Sequence, residues 1–218
     1  MSTRFWFLLV LCSAAAMADP ITYNVTVDTS SISGTAGSLD FNFNPGPFVT
    51  QAASLQILNF SSNGSLAGNC PCGIGDVTGQ LPATVTFDNA TAFNDYFDQF
   101  TYGSILSFDV SLYGPALSSP DGVSTSGSTF AFSMFSDADG TVPALTSDTT
   151  DGFAVTIDVN LDGTTTVTNY SPQAGVTPLD ATTVPEPSTL KLIGCWGVML
   201  AGFARGQKLR RRLRKSIV

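Results

Sequence analysis

Apolar and polar residues alternate with a period of two from Ile21 to Asp28, in the run Ile-Thr-Tyr-Asn-Val-Thr-Val-Asp. Successive side chains of a strand point to opposite faces, so this run predicts a strand with one face buried. Leu39-Asp-Phe-Asn-Phe43 repeats the pattern, and Asn44-Pro-Gly-Pro47 stops it. Further strands are expected at Ser54–Phe60, Ala83–Asp88, Ser104–Tyr113, Thr129–Phe135, Phe153–Leu161 and Thr164–Tyr170. Ser, Thr and Gly fill the gaps between them. Many short strands separated by turn residues predict an all-β fold, a single β-sandwich or jelly-roll-like domain. Phe93, Tyr96, Phe97 and Phe100 recur instead at helical spacing. They read as a helical turn or as an irregular strand feeding the next one.

The clearest local unit runs from Phe153 to Tyr170. Phe153, Val155, Ile157, Val159 and Leu161 are expected on one face, and Asp162-Gly163 as a two-residue hairpin turn. Asp158-x-Asn160-x-Asp162-Gly163 also matches the front of a helix-loop-helix calcium loop. Position twelve of that loop is Asn169, where a bidentate Glu is needed, and the apolar alternation runs through the match. The hairpin is the stronger reading. No repeat of 20 to 50 residues is evident.

Charge changes the picture. The chain of 218 residues has nine Lys and Arg, and all of them lie at Arg4 or from Lys191 onward. The seventeen acids run from Asp19 to Glu186, so Asp19–Leu190 carries a formal side-chain charge of −17, against −8 for the whole chain. That segment can form no side-chain salt bridge of its own. It cannot bind nucleic acid by neutralising phosphates, which takes Lys or Arg. His is absent, so a Ser-His-Asp or Cys-His system is excluded. A glycosidase needs only two carboxylates, one with a raised pKa, so a carbohydrate-active enzyme using paired carboxylates stays open as an alternative. An apolar content of 43% argues for a packed domain rather than a disordered acidic chain.

Three internal features are candidates for chemistry. Cys70-Pro71-Cys72 holds the only two cysteines of the segment. A local disulfide, a bond to another molecule, free thiols and a shared metal site are all open to them. Asp137 and Asp139, and then Asp148 and Asp151, lie in expected loops, and with no base nearby calcium is their natural counter-ion. Turn-forming residues are the plainer reading, since Asp and Gly populate turns. Five Asn-x-Ser/Thr sequons occur, at Asn24, Asn59, Asn63, Asn89 and Asn169, and a chain rich in Ser and Thr produces such matches by chance.

The ends read as addresses. Residues 1–18 combine Arg4, an apolar run Phe5–Leu11 and the small-x-small site Ala16-Met17-Ala18, which predicts a secretory signal peptide. Cys12 raises a lipoprotein alternative, but Leu11 precedes it where such signals want a small residue. The domain is expected over 19–175 and a Pro- and Thr-rich linker over 176–183. Then come Val184-Pro185-Glu186-Pro187-Ser188-Thr189-Leu190, an apolar stretch over 191–204 that predicts a membrane helix, and a basic tail over 205–215. Positive residues stay cytoplasmic, so the domain is expected outside. A eukaryotic lipid-anchor signal is the rival, but such signals end in the apolar stretch.

This tripartite end resembles the PEP-CTERM sorting signal of Gram-negative bacteria that make exopolysaccharide. Val184–Leu190 matches the motif, and Lys191 departs from it by standing where the stretch is usually apolar. The resemblance covers about the last 35 residues. It implies an exosortase-type processing enzyme as partner and a precursor anchored in the inner membrane. The product would reside at the cell surface or in the extracellular matrix, with exopolysaccharide as a partner. The domain is expected to have a structural or binding role there rather than an enzymatic one.

Overall fold

The computed structural model describes residues 19–68 and 72–179. The signal peptide over 1–18, Cys70, residues 180–183 of the linker, the motif Val184–Leu190, the apolar stretch and the basic tail lie outside these described residues. No helix among the described residues is long and apolar enough to cross a membrane.

The described chain is all-β, a sandwich of two antiparallel sheets. The strands are β1 (Ile21–Asp28), β2 (Ala36–Pro45), β3 (Ser54–Ser62), β4 (Ser65–Leu66), β5 (Gly73–Ile74), β6 (Val77–Gly79) and β7 (Val85–Asp88). They continue as β8 (Asp95–Thr101), β9 (Ile105–Tyr113), β10 (Ser128–Phe135), β11 (Phe153–Val159), β12 (Thr165–Asn169) and β13 (Ala174–Leu179), with a short α1 (Pro115–Ser118) before β10. One sheet has the order β13-β1-β9-β3-β7-β6. The other has the order β12-β11-β10-β2-β8-β4, with β5 also paired to β8.

Alternation builds the core. Val25 and Val27 of β1, Phe108 and Val110 of β9, and Leu55 and Ile57 of β3 are buried on the inner face of the first sheet. Leu39, Phe41 and Phe43 of β2, Phe130 and Phe132 of β10, and Val155 and Ile157 of β11 are buried opposite them. Phe41 and Phe132 sit side by side in register. Phe108 meets both edge-on from the other sheet, with centroids 5.1 and 4.9 Å away. Such pairs add to burial because a positive ring edge meets a negative ring face.

The structure settles one open expectation and corrects two others. The aromatic run at helical spacing is strand β8: Tyr96 and Phe100 enter the core while Phe93 is exposed. The position between those two inward rings is Asp98, itself fully buried, so the apolar alternation is broken by an acid. Burial pushes its carboxyl up, the hydrogen bond from Tyr96 opposing. The hairpin tip is wider than two residues. Asn160 N–H donates to the Thr164 carbonyl, Leu161-Asp162-Gly163 lies between them, and Gly163 has φ +82°. A three-residue loop of this kind takes a left-handed residue at its end, which suits Gly. Leu161 therefore leaves the core face and is 51% exposed. Finally, the last strand reaches Leu179, four residues into the stretch read as linker. Pro178 pairs opposite Tyr23 on the outermost strand, where a residue without an N–H is tolerated.

On the outer face of the first sheet, Asp109 of β9 is a bracket. Asn24 of β1 and Asn59 of β3 each donate a side-chain N–H to it at 2.7 Å. Asn59 sits at the register shift of β3, with φ +54°. Asp109→Ala should lower unfolding stability by about 1 kcal/mol, because the half-buried Asn24 amide and the exposed Asn59 amide lose their acceptor. Denaturant midpoints within experimental error of the parent would show that water replaces the bracket.

Candidate functional site

The outer face of the second sheet carries a polar strip that follows from alternation. Where Leu39, Phe41 and Phe43 point inward, Asp40, Asn42 and Asn44 point outward. Strand register then sets their neighbours. Asn42 lies opposite Asp95 of β8, and Asp40 opposite Phe97. One level along, Asn44, Thr129, Asp158 and Thr166 form a row across β2, β10, β11 and β12.

Within this strip Asp40 and Asp95 lie close enough for each carboxyl to perturb the other. Two carboxyls in such contact share one proton, since both cannot ionise together. Burial, reinforced by the hydrogen bond and charge of Asp95, pushes Asp40 up to about 8, against a weaker opposing bond from the Asn42 amide. That amide donates to Asp40 Oδ1 at 2.8 Å. Burial also raises Asp95, while its bond to Asp40 works in the other direction.

The linkage has a definite sign. Between the ordinary value of 3.8 and the raised one, the unfolded chain has lost a proton that the folded chain keeps. Stability from this group is full below pH 3.8 and is lost as pH rises to about 8. One proton gives a slope of at most about 1.4 kcal/mol per pH unit. Asp40→Asn keeps the acceptor for Asn42 and offers Asp95 an uncharged donor. It should stabilise the protein by more than ~1 kcal/mol at pH 8 and change little at pH 4. Urea unfolding at both pH values reads this directly; a difference independent of pH would refute the shared proton.

A groove opens at one end of the same face and encloses about 330 Å³. Its walls are Gly46 and Pro47 after β2, Ser126–Thr129 leading into β10, and Asp158–Leu161 at the end of β11. Asp158 Oδ1 accepts from the Thr129 hydroxyl at 2.6 Å. The Asn160 amide donates to Thr164 and Thr166, each at 3.0 Å. The walls are braced by backbone: Gly46 N–H donates to Gly127 O at 2.7 Å, and Thr125 and Ser126 N–H both donate to Val49 O. Phe48, next to Pro47, is 71% exposed. The groove thus combines polar walls with the exposed apolar side chain of Leu161.

The residues singled out in the sequence are placed as follows. Asp137 accepts from the N–H groups of Thr141 and Val142 and from the Thr141 hydroxyl. These bonds, the Thr141 hydroxyl foremost, hold its carboxyl below the usual range. Desolvation pulls Asp148 upward, yet the N–H groups of Asp151, Thr150 and Phe153 hold it low. Asp139 lies in the turn that Asp137 closes, and Asp151 in the bend that Asp148 closes. No group of three or more His, Cys, Asp or Glu suited to a metal ion occurs among the described residues. Cys72 is buried and disulfide-bonded. Its peptide carbonyl accepts from Phe97 N–H of β8.

All five sequon asparagines use their amide nitrogen as an internal donor. Asn24 and Asn59 donate to Asp109, Asn63 to the Ser104 hydroxyl, Asn89 to the Gln51 carbonyl and Ser128 hydroxyl, and Asn169 to the Ala174 carbonyl. Sugar on any of these nitrogens would displace a bond that the fold uses.

Sequence reasoning missed both the carboxyl pair and the groove. The alternation around Phe41 does put Asp40 on the outer face. Nothing local says that Asp95 will be its neighbour, because that depends on pairing between β2 and β8. Comparison of the chain with models of protein families, with curated proteins and with solved structures finds no match to any of them.

Proposed function

We propose that the chain is an exported protein of the cell surface or extracellular matrix whose β-sandwich binds polysaccharide. The observation that carries the binding reading is the groove of about 330 Å³, where a carboxylate and hydroxyls line a braced wall beside the exposed Leu161. Small-ligand clefts begin at about this size, and they combine apolar surface with a few placed polar groups. Sugars offer both hydroxyl donors and apolar ring faces. The strand orders β1-β9-β3-β7 and β2-β8-β4, with the chain passing repeatedly between sheets, support a jelly-roll reading, an architecture used by lectin domains.

The address reading rests on the ends of the sequence. Residues 1–18 direct export. The apolar stretch over 191–204 and the basic tail hold the precursor in the inner membrane, and an exosortase-type enzyme acts near Val184–Leu190. The product then resides with exopolysaccharide. The test is sedimentation of purified protein with polysaccharide from its own host, with a host strain that makes none as control. Protein that stays in the supernatant with both would end the binding reading.

Calcium at Asp137, Asp139, Asp148 and Asp151 is the weaker part of the reading, since two of the four carboxylates already hold their own turns. Calcium and magnesium at matched ionic strength should give equal rises in Tm through general screening of the acidic chain. A larger rise with calcium would establish a specific site, because binding to the native state alone stabilises it by mass action.

A further inference from the structure

We infer that the groove selects neutral sugars and rejects uronic acids and other anionic glycans; this rests on the polysaccharide reading above. The first reason is charge. Residues 19–190 contain no Lys, Arg or His, so the groove has no cation to pair with a ligand carboxylate. Its own ionisable wall residue is Asp158. An anionic sugar would be desolvated beside a like charge with no compensating partner, and such a juxtaposition is a means of rejection.

The second reason is hydrogen-bond polarity. Asp158 Oδ1 accepts a hydrogen bond from the Thr129 hydroxyl. A carboxylate has about four acceptor positions and no donor. It therefore suits a ligand that presents O–H donors, as neutral sugars do. The third reason is the apolar rim. Leu161 has been turned out of the core by the three-residue hairpin tip. It offers apolar surface for the C–H face of a pyranose ring. The braces from Gly46 to Gly127 and from Thr125 and Ser126 to Val49 fix the walls before ligand arrives, which lowers the ordering cost of binding.

Titration calorimetry on the purified full-length chain tests this with a soluble neutral glucan, a neutral galactomannan and polygalacturonate, the last with and without calcium. A neutral glycan should bind and polygalacturonate should not. Asp158→Ala and Leu161→Ala should each weaken binding about tenfold or more. Leu161 is exposed at the hairpin tip, so its variant keeps the test open if loss of the Thr129–Asp158 bond disturbs folding. Binding of polygalacturonate in preference to both neutral glycans, with or without calcium, would overturn the selectivity and leave the polysaccharide reading standing. Neutral binding unaffected by both substitutions would overturn the assignment to this groove. Failure of every glycan, including the host polysaccharide, would remove the polysaccharide reading and the selectivity with it.

Discussion

Trypsin should leave one large fragment, Phe5–Lys191, from the full-length chain, whether the chain is folded or fully denatured. Trypsin needs Lys or Arg beside the scissile bond, and none occurs between Arg4 and Lys191. Burial protects most proteins from trypsin, and denaturation removes that protection. Here the protection is chemical and survives unfolding. The basic tail should meanwhile be cut to short pieces, since Arg205, Lys208, Arg210, Arg211, Arg212, Arg214 and Lys215 crowd it. Mass spectrometry of the digest in denaturant checks this. Chymotrypsin is the contrast: in the folded domain it should reach exposed rings such as Phe48 and Phe93 and spare Phe41, Phe108, Phe130 and Phe132, which are fully buried, whereas in the unfolded chain it should cut at all of them.

If the sorting reading proposed above is right, replacing Pro185 and Pro187 by Ala should abolish processing while leaving export intact. Each Pro fixes its own φ and disfavours helix in the residue before it. Two of them around Glu186 disfavour helix there, and an extended stretch is the form a processing enzyme can grip. Residues 1–18 are untouched, so on that reading the domain should still cross the membrane. The variant should accumulate as the longer precursor in the inner membrane, held by the apolar stretch and the basic tail. The wild-type protein should be shorter, and the shortening should vanish in cells without exosortase. A mature wild-type protein still ending at Val218 would end the sorting reading and leave a permanent anchor with a Pro-rich linker.

Several elements could be read directly from the chain. Ile21–Asp28 alternates cleanly and is strand β1 as expected. Val155, Ile157 and Val159 share the core face as the pattern implies. Reading failed where a partner rather than a pattern decides. Strand β8 was obscured because Asp98 occupies the inward position between Tyr96 and Phe100, so its polar letter broke the apolar alternation. Strand β13 was read as linker because Thr177 and Pro178 look like loop. Pairing with β1 and the packing of Ala174 and Val176 against the core make it a strand. Leu161 was placed inside because its letter is apolar, and the geometry of the turn put it outside.

By itself the sequence determined the strand-rich class, the polar and apolar faces of most strands, the absence of cations from the domain, and the terminal stretches on which the sorting reading rests. These depend only on a residue's own chemistry and on near neighbours along the chain. Only the tertiary structure decided that Asp40 meets Asp95, that Asp109 gathers Asn24 and Asn59, and that Gly46, Gly127 and Asp158 wall one groove. Alternation tells a side chain which face of the sheet it takes. Which strand lies beside it, and in what register, follows from how the two sheets close over a shared core, and that is a property of the whole chain.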